Sequence, residues 1–99
     1  MNAMYNPPHP GGLLKTFILP ELGLNLSEAA RILGVSRDTL AAVANGRRAV
    51  SPKLALKLAK AFGGSAEHWL RMQACYDLWQ VAQHYQPDDV PALHSSLLS

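Results

Sequence analysis

Ninety-nine residues, 48% of them apolar and 16% charged, describe one folded domain and exclude a wholly disordered chain, because enough apolar surface is available to offset the ordering entropy. A net charge of +2, no apolar run long enough to span a bilayer and a single cysteine, Cys75, point to a soluble, cytoplasmic protein held together by its core, with neither a disulfide nor a thiolate-rich zinc site. The small net charge hides a strong gradient. Residues 1–24 are neutral, residues 25–62 carry seven cations against two acids for a net +5, and residues 63–99 carry one cation against four acids for a net −3. A basic centre is what a phosphate-binding surface requires.

In chain order, Asn6, Pro7, Pro8, His9, Pro10, Gly11 and Gly12 read as the end of an extended arm over residues 1–12, since proline fixes φ and removes donors. Leu13, Leu14, Phe17 and Ile18 recur at helical spacing and predict a short first helix at about 12–20, stopped by Pro20 and Gly23. Asn25 with Glu28 three residues on is a capping signal for a second helix at about 26–33, which Gly34 closes. Ser36 caps a third at about 37–45, with Asp38 at the positive end of its dipole and Asn45-Gly46 as its stop. Ser51-Pro52 opens a fourth at about 52–62. After Gly63-Gly64, Ser65 caps a fifth that runs unbroken from Ala66 to Tyr85, and Pro87 to Pro91 begin a tail over 86–99. The folded unit is thus all-α, with its five helices between residues 13 and 85.

Only Gly34, Val35 and Ser36 link the second and third helices, so the two must cross steeply, as in a helix-turn-helix. Ala29, Leu33, Val35, Leu40 and Val43 supply the inward groups, and Gly34 stands where the turn wants positive φ. With Leu40 and Val43 inside, the third helix presents Arg37, Asp38, Ala41, Ala42 and Asn45 outward, flanked by Ser36 and Thr39. That face is small and polar and suits a major groove: an arginine pairs with guanine, an aspartate accepts from cytosine or holds a neighbour, and an alanine meets a thymine methyl. Arg47, Arg48, Ser51 and Lys53 follow in a loop placed to clamp phosphates. A plain helical corner with a solvated loop is the bland alternative.

These residues, together with His9-Pro10-Gly11, Leu22-Gly23-Leu24, the run from Glu28 to Arg37, Asn45-Gly46-Arg47-Arg48, Ala55 to Ala59, Phe62-Gly63 and Trp69-Leu70, resemble the HigA-type antitoxins, a branch of the phage-repressor-like (XRE) helix-turn-helix family. The resemblance covers about residues 8–80. It implies a lambda-repressor-like domain that binds operator DNA as a homodimer, represses its own operon and neutralises a small basic ribonuclease of the HigB or RelE-like type. One position departs: the family usually opens the second helix with a glutamine that touches a phosphate, and Leu26 stands there, so that contact is lost or replaced.

The histidines and Cys75 show no ligand spacing, and no phosphate loop is present, so neither catalysis, a metal nor a cofactor is expected. Trp69, Met72, Gln73, Tyr76 and Trp79 of the fifth helix are the expected dimer face, because that helix is apolar on more than one side. For the toxin, two surfaces suggest themselves, the arm from Pro7 to Gly11 and the side of the first helix around Lys15 and Thr16. The arm's alternative is a lead-in that packs on its own domain. Competing functions are a stand-alone repressor without a toxin and an interaction module that has lost DNA binding.

Overall fold

The computed structural model describes residues 6–93; expectations for 1–5 and 94–99 fall outside the described residues. Five helices and no strand are found among them. The first helix, α1 (10–22), is built of three joined pieces, Pro10–Leu13, a wide π turn at Leu14–Ile18, and Leu19–Leu22. It is followed by α2 Leu26–Leu33, α3 Arg37–Ala44, α4 Pro52–Phe62 and α5 Ala66–Ala82.

The beginning of α1 corrects the extended arm. Pro10 occupies the first helical position, where its missing N–H costs nothing, and the His9 Nδ1 accepts a hydrogen bond from the Gly11 N–H at 2.9 Å. The helix also continues through Pro20, because the turn before it is widened: the Leu19 N–H donates to the Leu14 carbonyl, five residues back. At about 100° per residue an α-helix would set Leu14 and Leu19 roughly 140° apart. The π turn lets both face inward, and both are buried. Phe17, one of the four apolar residues that mark the helical spacing, is swung out and stands 64% exposed.

The other starts follow local capping chemistry. Asn25 and Glu28 satisfy each other's backbone N–H groups at 2.8 and 2.9 Å, and the hydroxyls of Ser36, Ser51 and Ser65 accept from the third helical N–H of α3, α4 and α5. Gly34, at φ 69°, ends α2, and the Val35 N–H reaches back to the Ala30 carbonyl at 3.0 Å. The last helix closes at Ala82 rather than Tyr85, although the Tyr85 N–H still donates to the Val81 carbonyl.

Leu14, Leu19, Ala29, Ala30, Leu33, Leu40, Val43, Val50, Leu54, Ala55, Leu58 and Trp69 form one core. α1 packs on α3, α2 on α3 and α4, and α5 on α4 and the start of α1. Trp69 and Gln73 depart from the expected dimer face: they are 4% and 5% exposed and belong to the protomer's interior. The reason for Gln73 is polar. Its Oε1 accepts the buried Val50 N–H at 2.8 Å and its amide donates to Asp77 at 2.9 Å, so a backbone donor in the α3–α4 connection is satisfied from α5. Beyond that contact the end of α5 and the segment after it leave the core: Leu78 and Val81 of the helix and Tyr85, Val90 and Leu93 past it are exposed, and the principal extents are 51 × 24 × 22 Å. No helix of the described residues is long and apolar enough to cross a membrane.

Candidate nucleic-acid interface

The structure brings α3 and the turn after it to one surface. Leu40, Val43 and Ala44 hold the inner side of α3, which leaves Arg37, Asp38 and Asn45 exposed and Ala41, Ala42 and Thr39 half-buried. The hydroxyls at the helix start are engaged with each other. The Ser36 Oγ takes the Thr39 N–H and donates to the Thr39 Oγ1 at 2.8 Å, so these two residues fix the first turn of α3.

At the other end, the Arg47 N–H donates to the Ala42 carbonyl at 2.8 Å and the Gly46 N–H to that of Val43 at 3.0 Å, with Gly46 at φ 75°. This closure folds Arg47 and Arg48 back beside the last turn of α3, and both side chains are exposed. The turn is backed by His9, whose ring lies 3.7 Å from where a Cβ on Gly46 would stand. The same ring meets Tyr76 edge-on, centroids 4.8 Å apart at 81°. Burial pulls the His9 pKa below its ordinary value, against the weaker opposing pull of the Asp77 carboxylate. Ser51 is turned to capping α4, and Lys53, in its first turn, is exposed.

Two cations outside the expected set reach the helix-turn-helix. The Lys57 Nζ donates to the Gly34 carbonyl at 3.2 Å, a cation at the negative end of α2. The Lys15 Nζ, from the π turn of α1, donates to the Asn45 Oδ1 at 2.7 Å. Thirty residues separate that pair, and Lys15 is the sole cation of the first 24 residues. Its isolation was the one available signal, since no spacing rule joins α1 to the end of α3. Among the described residues no cluster of three or more His, Cys, Asp or Glu side chains is placed to hold a metal ion.

The helix-turn-helix family model matches residues 14–69, which run from the π turn of α1 to Trp69. The chain is 46% identical to virulence-associated protein A of Dichelobacter nodosus over 99 residues, covering 99% of this chain and 97% of that one. It is 35% identical to antitoxin HigA-1 of Vibrio cholerae, with 83% and 77% covered. Among solved structures, the Pseudomonas aeruginosa antitoxin HigA with the higBA promoter superposes with a TM-score of 0.76 at 29% identity, over 93% of this chain and 99% of that one. On the fold, the matched span and these identities, the chain belongs to the helix-turn-helix family, in the branch that holds the HigA-type antitoxins.

Proposed function

We propose that this protein is a DNA-binding antitoxin: a repressor of its own operon that reads an operator through α3 and restrains a ribonuclease-type toxin, acting by binding and not by catalysis. The observation that carries the reading is the outer face of α3, small and polar, bracketed at its end by three exposed cations, Arg47, Arg48 and Lys15. The solved relative bound to its promoter supports the DNA half, and the relative named an antitoxin supports the toxin half.

In this reading Arg37, with Asp38, Ala41 and Ala42, faces base edges, whereas Arg47, Arg48 and Lys53 hold the backbone. The surface that pairs two copies is the outward stripe Ala74, Leu78 and Val81, spaced four and three as in a coiled-coil seam, with the exposed Tyr85 just past the helix end. Met72, Tyr76 and Trp79 are half-buried and lie on the opposite side of α5, toward Trp69 and Gln73, where Tyr76 meets His9. A two-fold dimer calls for a palindromic site with half-sites about 34 Å apart. Footprinting on the duplex upstream of the protein's own gene tests the DNA half, with a protected palindrome as the expected result. Co-expression with the product of the adjacent gene tests the other half. Rescue of growth supports the antitoxin, and a neighbour harmless on its own leaves a stand-alone repressor.

A further inference from the structure

The bond between Lys15 and Asn45 assigns a job to α1 that the helix-turn-helix alone does not have. The ammonium group carries only donors, so its 2.7 Å contact fixes the Asn45 amide with the oxygen toward α1 and the NH2 group turned elsewhere. No other hydrogen bond engages either side chain among the described residues, and both are exposed. Two N–H donors on Lys15 and two on Asn45 are therefore free, on adjoining groups, with one net positive charge between them.

The place where they meet matters as much as the donors. Asn45 caps the carboxyl end of α3, where the helix dipole is negative and repels an approaching phosphate. Lys15 stands on that end, and Arg47 and Arg48 come next in the chain. Lys15 can reach it because α1 crosses α3 closely at Gly11, whose absent Cβ leaves room for the Val43 carbonyl.

We propose that Lys15 and Asn45 form a single clamp for one backbone phosphodiester of duplex DNA, with Lys15 as the positioning residue that orients the Asn45 amide. The proposal rests on the DNA-binding reading above. It makes Asn45 a residue that sets where α3 sits and not which base it reads. Because the two side chains act as one unit, their losses overlap: once Lys15 is gone, the amide is no longer aimed and little remains to lose.

The test is fluorescence anisotropy with a labelled duplex of mixed sequence across a potassium chloride series, using wild type, Lys15→Met, Asn45→Ala, the double variant and Lys15→Arg. Lys15→Met is expected to weaken binding roughly tenfold at low salt and to flatten the logarithmic salt slope by about 0.9, one phosphate contact's worth. The double variant should bind as weakly as Lys15→Met and no worse, and Lys15→Arg should restore most of the affinity and the slope. Thermal melting of each variant should match wild type, since both side chains are exposed. If Lys15→Met keeps the wild-type slope, or if the two single losses multiply in the double variant, the clamp is overturned while DNA binding stands. A wild type with no salt-dependent affinity for the duplex overturns both.

Discussion

Gly11 of α1 lies directly against the main-chain carbonyl of Val43 in α3: a Cβ built on Gly11 would run into that oxygen and stand 2.6 Å from the carbonyl carbon. Backbone is what it would meet, so no rotamer can relieve the clash. Gly11→Ala should destabilise the fold by about 1–3 kcal/mol or more and push α1 off α3. Gly12, next to it in the same helix, has nothing within 4 Å of where a Cβ would stand, and Gly12→Ala should be neutral or stabilise by about 0.5–1 kcal/mol. Urea denaturation of the pair checks the contrast; equal midpoints would disprove the close approach.

The ring of His9 must stay neutral at Nδ1 to accept the Gly11 N–H, and burial against Tyr76 disfavours its charged form. Its folded pKa is therefore below 6.5, so between that lowered value and 6.5 the unfolded chain binds more protons than the folded one. The contribution to stability is complete above about pH 6.5, declines as pH falls through the window, and levels off once the folded histidine is also protonated. His9→Ala should remove this acid step and cost about 1 kcal/mol at neutral pH through the lost cap. Urea midpoints from pH 5 to 8 decide it: parallel profiles for wild type and variant would rule the coupling out.

Arg37 and Arg47 should fail in different ways. In the proposed complex Arg37→Ala lowers affinity for the operator by roughly 1–3 kcal/mol and blurs the preference for it over other sequences. Arg47→Ala weakens every duplex alike and reduces the salt slope by about 1. Binding titrations on operator and scrambled duplexes separate the two, and unchanged affinity in both variants would remove α3 and its turn as the DNA surface.

Trp69 and Leu78 lie on one helix but on opposite sides of the question of what α5 does. Trp69→Ala should cost the protomer about 3–5 kcal/mol, as expected for a large aromatic removed from a core. Leu78, 72% exposed, should be nearly silent in the protomer, yet Leu78→Asp should break the proposed dimer. Sedimentation measures this. A species of one-chain mass in the wild type, unaltered by Leu78→Asp, would leave the stripe without a partner.

Four helix starts were legible in the sequence because capping is a local code. Asn25, Ser36, Ser51 and Ser65 each accept an N–H from a residue three positions on, and nothing distant enters. The start of α1 was not, because a histidine is an unusual cap and a proline-glycine run reads as a breaker until the first position is recognised. In α5, apolar residues occupy more than one side, so periodicity alone does not say which side meets the protomer; the buried Val50 N–H decides it by drawing in Gln73. The outward side of α3 was legible once Leu40 and Val43 were placed inside. Lys15 was not, since its partner is set by how α1 crosses α3.

The π turn of α1 has a bearing on how chains of this kind are compared. Leu14 and Leu19 both point inward five residues apart only because one extra residue is looped into that turn. Deleting a residue between them would leave two leucines four apart, which is the natural same-face spacing of a plain α-helix. A wide turn of this kind behaves as a one-residue insertion would, because the reading frame of the core is the same with or without it. A one-residue gap between positions 14 and 19 in an aligned relative therefore marks a change of helical pitch and not a change of fold.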